Sequence, residues 1–446
     1  MFLSLIHTLL KMTKKDIETQ IRLLFEMWVQ KKQEEPLNKV RYAGPVLGVT
    51  EYDNVLTAIF SDWWSGGKFT VEAEDKLAKI SDRNHGLLTN SGSSANLVLM
   101  SAARELYFQD CDKILTLSCG FPTTVNPIMT SRMIPVFVDI SLEDLSLDLN
   151  LFEDALKNDS KIKGVFIAHT LGFKGKIDEI LDIARRYNVL VFFDNCDSYG
   201  TKYKGRPIQS YGKAATYSFY VAHHLTMGEG GGITTNDQDL HLTMRGFRNW
   251  GRYCASTNCC VRSVKPEMFC PTSKLTRHCD LPEDYIVNYQ YEWLGFNLKP
   301  LELQSAMLLA QIDKMSEFDS IRKKNYNNLL SYFKSNCKFK FTTWDIDDEV
   351  SPFAFPLLLP KDSPFTRKHL VDFLARKGIE TRLLFGGNLM KHPAYTKKSA
   401  WWESYGSHTN ADLISKSFVM LGVSQVNNDT HISKVITEVE NFCNTW

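Results

Sequence analysis

The chain has almost no net charge. Its 52 Lys and Arg residues face 51 Asp and Glu, leaving +1 at neutral pH. There is therefore no broad basic field to draw in nucleic acid or an anionic membrane surface. No apolar run approaches the roughly 20 residues that a bilayer-spanning helix needs. Repeats and low-complexity tracts are absent. The 10 cysteines are too few for a disulfide scaffold in a chain of 446 residues. No CxxC pair occurs, which excludes a separate zinc module. Lysine is missing from the whole stretch between Lys213 and Lys265. The start, Met1 to Leu10, is apolar but short, with no basic lead and no small-residue cleavage site. It reads as an extension before Met12 or as part of a first helix, not as a signal peptide. These absences leave a globular, cytoplasmic protein, and its length predicts one large domain and one smaller one.

Residues 14–32 carry a charged, amphipathic helical pattern. From about residue 85, short apolar runs alternate with helical segments. The runs include Ile114–Leu117, Val136–Asp139, Val165–Ala168, Val189–Phe193 and Ala215–Ser218. Continuous Val, Ile, Leu and Phe runs between helices indicate a buried, mostly parallel sheet. Ligands of such sheets bind beyond the carboxyl ends of the strands. Residues 252–290 break the rhythm with Cys, Pro, Lys and Arg and read as a long functional loop. A helix is expected from Pro300 to Ile321, another near Lys368–Lys377, and strands at Phe353–Leu359 and Phe418–Val423.

Four motifs stand at the ends of these runs. Asn90-Ser-Gly92-Ser93-Ser-Ala-Asn96 opens a helix rich in Leu, Ala and Met. Its small residues suit either an anion at the helix N-terminus or a plain N-cap. Cys119-Gly-Phe121-Pro-Thr-Thr124 offers an aromatic that could stack on a ligand ring or sit in the core. Asp194, followed by Asn195, Cys196 and Asp197, ends a buried strand. There it can hold a cationic ring nitrogen or cap the next turn. Ser218-Phe-Tyr-Val-Ala-His223-His224 runs into Gly228-Glu-Gly-Gly231. A histidine pair on a loop is often only structural, but its place after Ser218 favours a chemical role.

Taken in order, these motifs resemble the DegT/DnrJ/EryC/StrS sugar aminotransferase and dehydratase family, over roughly residues 40–446. The similarity is greatest to its CDP-4-keto-6-deoxyglucose 3-dehydrase subgroup, matched also by Ala168-His-Thr-Leu-Gly172. The resemblance implies an α/β fold of the fold-type I pyridoxal-phosphate enzymes: a large domain on a mostly parallel seven-stranded sheet and a smaller α+β C-terminal domain. The boundaries implied are a helical extension at 1–39, a cofactor domain at 40–312 and a small domain at 313–446. The cofactor implied is pyridoxal or pyridoxamine phosphate. Asp194 would pair with its ring nitrogen, with Phe121 on the ring and Asp197 beside it, and Gly92, Ser93 and Ser218 would bind its phosphate. His223 stands where transaminating relatives carry the cofactor-bound lysine. A histidine can move protons but cannot hold the cofactor covalently, which turns the expected chemistry from amino transfer to elimination. His224, Arg382 and Asn388 would contact a nucleotide-sugar substrate. Asn297, in Gly295-Phe-Asn297, would reach the cofactor of a second subunit, implying a homodimer.

The subgroup also carries a [2Fe–2S] cluster fed by a flavin/iron–sulfur reductase. Cys196 and Cys254 are separated by 57 residues, the subgroup's first ligand gap, but Ser256 and Val264 occupy the two remaining ligand positions. A cluster here would draw on Cys196, Cys254, Cys259 and Cys260. Without one, the related GDP-sugar 3-dehydratases indicate re-amination of the cofactor by glutamate. Two other classes compete: an aminotransferase with its lysine supplied from elsewhere, and a non-catalytic nucleotide-sugar binder.

Overall fold

The computed structural model describes residues 12–34, 39–252 and 289–446. The order is α1 (Lys14–Glu34), α2 (Val49–Phe60), α3 (Lys68–Ile80), β1 (His85–Thr89), α4 (Gly92–Tyr107), β2 (Lys113–Leu117), α5 (Pro122–Thr130), β3 (Ile134–Val138), α6 (Leu149–Asn158), β4 (Ile162–Ala168), α7 (Ile177–Arg186) and β5 (Leu190–Asp194). A small hairpin, β6 (Lys202–Tyr203) and β7 (Arg206–Pro207), leads to β8 (Ala214–Ser218), β9 (Gly231–Thr235) and α8 (Gln238–Arg248). After the undescribed segment come α9 (Glu302–Asp313), α10 (Met315–Ser335), β10 (Phe355–Leu358), α11 (Arg367–Arg376), β11 (Thr381–Arg382), α12 (Pro393–Thr396), β12 (Glu403–Ser404), α13 (Thr409–Ser417), β13 (Phe418–Leu421) and α14 (Asp429–Asn444).

The main sheet runs β1-β9-β8-β5-β4-β2-β3-β12. The pairs from β8 to β12 are parallel, whereas β9 lies antiparallel between β1 and β8. Alternation along each strand divides the core between two faces. Leu115, Leu117, Val165, Ile167, Val191 and Phe193 face α6 and α7. Ile114, Phe166, Phe192, Ala214 and Ile233 face α4 and α8. Helices on both faces bury the strands completely, which is why they read as unbroken apolar runs.

Two strands of the main sheet carry little signal in the sequence. β9 begins with Gly231-Gly232, and glycine is a weak strand signal. It is required because a Cβ on Gly231 would lie 2.2 Å from the Ser91 carbonyl oxygen. β12 adds an eighth strand at the β3 edge. Its two residues are too short to show a period, so the expected seven-stranded sheet is corrected to eight. The helix expected over 300–321 is two helices meeting at Lys314. Buried Glu51 causes the break's local bonding, accepting from Gln311 Nε2 at 2.7 Å and Lys314 Nζ at 2.6 Å. A separate antiparallel sheet, β10-β13-β11, is backed by α10, α11 and α14 through Phe333, Phe355, Leu374, Val435 and Phe442. Among the described residues no helix is long and apolar enough to cross a membrane.

Candidate active site

A cavity of about 650 Å³ opens beyond the carboxyl ends of β4, β5 and β8. Strand ends contribute Ala168, Asp194 and Ser218, and the turn after β5 contributes Cys196 and Asp197; the N-cap and first turn of α4 contribute Ser91, Gly92 and Ser93. Phe121 and Thr124 enter from α5, and His223 from the loop after β8. Tyr42, Phe353, Arg382 and Phe385 close the opposite side.

Asp194 ends β5 and is 5 % exposed. Its Oδ2 accepts from Asn96 Nδ2 at 2.8 Å and Thr124 Oγ1 at 2.7 Å. Its Oδ1 accepts from the Cys196 N–H at 3.1 Å. All three donors are neutral, and no described cation forms an ion pair with this carboxylate. A buried, unpaired negative charge facing a cavity fits a protonated ring nitrogen. Asn96 is itself fixed by accepting from Thr216 Oγ1 at 2.6 Å. Neither Asn96 nor Thr124 was assigned a role from sequence. The available signal was an asparagine on an otherwise apolar helix face and a threonine next to Phe121.

Ser91 caps α4, its Oγ accepting from the Ser94 N–H at 3.0 Å. The Ser91 cap leaves Gly92 and Ser93 free to present the first turn of α4 to the cavity. Ser93 Oγ donates to Thr123 Oγ1 at 3.0 Å. A Cβ on Gly92 would sit 2.6 Å from Ser218 Cβ and 3.1 Å from Cys196 Sγ. Gly92→Ala should therefore destabilise the protein by about 1–3 kcal/mol and push the first turn of α4 away from Ser218. Thermal unfolding with and without added pyridoxamine phosphate checks this: the variant should lose most of the ligand-induced rise in Tm.

The loop after β8 is closed at its base by Phe219 N–H to the Gly230 carbonyl (2.9 Å) and Met227 N–H to the Phe219 carbonyl (3.0 Å). A turn, His223 N–H to the Tyr220 carbonyl at 2.9 Å, tips His223 towards the cavity. Its Nδ1 is buried without a hydrogen-bond partner and lies 3.9 Å from Asp197 Oδ1. Burial pulls the imidazole down to about 4, aided by the Arg322 charge and opposed by contact with the Cys196 backbone and by the Asp194 charge. Burial pushes Asp197 the other way, to about 8, with Asp194 adding to the rise and a bond from the Leu171 N–H opposing it. At neutral pH the pair is thus a base without its proton beside an acid that keeps its own. A reaction that needs neutral His223 should retain kcat/KM as pH falls through 6.5 and lose it only near 4. A pH–rate profile checks this, and an acid limb near 6.5 would contradict it.

The remaining expected residues divide. Arg382 lines the cavity, its guanidinium 5.3 Å from the Tyr42 ring centroid. Two residues expected to contact substrate lie outside the cavity lining. The His224 ring is fully buried outside the cavity lining, with Nε2 3.1 Å from the Ser351 carbonyl oxygen. Asn388 is also buried outside it, because its side chain donates to Asp412 Oδ1 and accepts from the Met390 N–H. Asn297 is exposed away from the cavity and accepts from Lys299 Nζ at 2.6 Å. Lys213 stands at the start of β8, the opposite end from the cavity, and pairs with Asp237 at 2.5 Å. No described lysine lines the cavity.

Cys254, Cys259 and Cys260 lie outside the described residues. Cys196 lines the cavity, where burial and the charges of Asp194 and Asp197 push its thiol well up. No group of three His, Cys, Asp or Glu side chains among the described residues is placed to hold a metal. Of the four cysteines expected to hold a cluster, only Cys196 is among the described residues.

Residues 45–440 match the model of the DegT/DnrJ/EryC1/StrS aminotransferase family. The chain belongs to that family. It is 35% identical over 410 residues to the lipopolysaccharide biosynthesis protein RfbH of Salmonella typhimurium, covering 90% of this chain and 91% of that one. It is 31% identical to the dTDP-4-dehydro-2,6-dideoxy-D-glucose 3-dehydratase of Saccharopolyspora spinosa, covering 90% and 86%. Its fold matches a solved E. coli GDP-4-keto-6-deoxy-D-mannose-3-dehydratase with bound hydrated PLP, at TM-score 0.79 and 24% identity, covering 91% of this chain and 100% of that one. The fold-type I architecture expected from the motifs is thus the one observed.

Proposed function

We propose that this protein is a pyridoxamine-phosphate-dependent enzyme that removes the C3 hydroxyl, as water, from a nucleotide-linked 4-keto-6-deoxyhexose. The CDP-linked sugar is the substrate that the sequence motifs favour. The observation that carries this reading is His223: a histidine, and no described lysine, faces the cavity that holds Asp194. Similarity to 3-dehydratases over nearly the whole chain supports it.

When bound, the cofactor supplies an amine for carbonyl chemistry and a ring that acts as an electron sink. Asp194 holds the positive charge of the ring nitrogen. Gly92 and Ser93 in the first turn of α4, with Ser218 at the end of β8, would hold the phosphate, and Phe121 would lie against the ring. His223 takes a proton from the reacting carbon and can return it to the departing hydroxyl. Arg382 holds the charged part of the nucleotide sugar. Residues 40–312 form the cofactor domain and 313–446 the small domain, and Asn297 of a second copy completes the site in a homodimer. The product feeds cytoplasmic deoxysugar synthesis for surface polysaccharide.

The test is an assay with CDP- and GDP-linked 4-keto-6-deoxyhexoses, read by mass spectrometry, on protein given pyridoxamine phosphate. A sugar product short by one oxygen atom, the 3-deoxy ketone left when water departs and two electrons come from the pyridoxamine phosphate, supports the proposal; no turnover of either sugar overturns it. A second reading, a GDP-sugar dehydratase recharged by glutamate, draws on the 26% identity to the E. coli GDP-4-keto-6-deoxy-D-mannose 3-dehydratase. Iron and sulfide assays on anaerobic protein divide the two. Iron in stoichiometric amount favours the reductase-coupled CDP branch, and turnover dependent on glutamate without iron favours the GDP branch.

A further inference from the structure

Arg322 lies on α10, is completely buried, and forms no ion pair with any described carboxylate. Its guanidinium is spent on oxygen atoms of three separate segments. Nε donates to Gln425 Oε1 at 2.8 Å. Nη1 donates to the Pro352 carbonyl at 3.2 Å and the Phe353 carbonyl at 3.1 Å. Nη2 donates to the His223 carbonyl at 3.3 Å. Gln425 passes the restraint on, its Nε2 donating to the His224 carbonyl at 3.2 Å. The Phe353 ring, on the segment that Arg322 grips, lies 5.1 Å from the His223 ring and 5.9 Å from the His224 ring. The His224 side chain adds its own tie to Ser351.

We infer that Arg322 is the positioning residue of the reaction, a clamp that fixes the His223-His224 backbone so that the His223 imidazole is held at the reacting carbon. The inference rests on the reading of His223 as the proton-transferring base. A buried cation without a direct ion-pair partner, with only Asp319 nearby on the same helix and that carboxylate paired with Lys323, is an expensive way to fill a core, and an apolar side chain would serve packing alone better. What only arginine provides is a rigid planar fork that reaches several acceptors at fixed angles. Here three of the four acceptors are backbone oxygens, of His223 in the catalytic loop and of Pro352 and Phe353 beside it, and the fourth is Gln425 Oε1. Burial pulls the guanidinium down to about 10, so it stays charged at neutral pH. Gln425 lies four residues beyond β13, whose Met420 lines the cavity and is paired in register with Arg382. The substrate side of the cavity and the base are thereby tied to one group.

The test uses Arg322→Lys and Gln425→Ala in cofactor-loaded protein. Lysine keeps the charge but cannot fork. Since misplacing a reacting group by about 1 Å can cost roughly 100-fold, Arg322→Lys should lower kcat about 10- to 100-fold, with KM and cofactor affinity changed less than about twofold. Gln425→Ala should lower kcat in the same way by a smaller factor. Amide hydrogen exchange over residues 219–228 should speed up in both variants. That readout does not depend on activity, so it separates failure of the clamp from failure of the assignment of His223, which His223→Ala tests alone. If both variants fold, exchange at the wild-type rate in this loop and keep wild-type kcat, the inference is overturned. It is equally overturned if kcat falls only in proportion to lost cofactor binding or lost folded protein.

Discussion

His223→Ala should retain the cofactor and lose dehydration by about 10²- to 10⁴-fold, the usual worth of a positioned acid–base group. The loss should fall on kcat with KM nearly unchanged, because the imidazole acts on a proton and not on the bulk of the substrate. Two features of the site set the size of this effect. Asp197 is the nearest carboxyl, 3.9 Å from His223 Nδ1, and at neutral pH it is protonated and cannot substitute as the base. No described lysine lines the cavity to take over. His223→Lys is the sharper variant: it should capture the aldehyde form of the cofactor covalently, visible as a shift in its absorption, while dehydration stays low. Full dehydratase activity in His223→Ala would remove the basis for the proposed reaction.

Much of this site could be read from the sequence because its parts sit where the strand–helix rhythm changes. Asp194 and Ser218 are the last residues of β5 and β8, and Gly92 begins α4. Strand ends and helix starts are visible as the limits of apolar periodicity, so motifs placed there could be assigned to one face of the sheet. What could not be read depends on contacts between distant segments. His224 and His223 are equivalent in a linear motif, yet the turn at Tyr220 sends one ring towards the cavity and buries the other against Ser351. Asn388 looked like a ligand contact, but its side chain caps the turn that follows it. Arg322 gave no signal, since a charged residue in an amphipathic helix is ordinarily on the solvated face. β12 reached the main sheet from 265 residues beyond β3 in sequence, through two residues with no period of their own (Glu403 beside Val136, Ser404 beside Phe137).

Asp194→Asn tests the other pole of the site, and its effect should appear first in cofactor binding. The carboxylate already satisfies three neutral donors, from Asn96, Thr124 and Cys196, so its charge is oriented before any ligand arrives. Removing one member of a buried charged pair costs about 2–5 kcal/mol, roughly 30-fold to several-thousand-fold in Kd. Asparagine is nearly isosteric, so the fold should survive. Its amide must, however, turn an NH₂ towards groups that now donate to it, leaving at least one buried donor without an acceptor. The rate should fall by more than binding does, because the ring acts as an electron sink only while its nitrogen stays protonated against a negative charge. Absorbance titration with pyridoxamine phosphate gives Kd, and single-turnover dehydration at saturating cofactor gives the rate. Asn96→Ala, which removes one of the three donors and keeps the charge, should show a milder loss of the same kind. If Asp194→Asn binds the cofactor as tightly as wild type, the carboxylate is only a strand-end cap, and the ring nitrogen must be met by another group in the cavity.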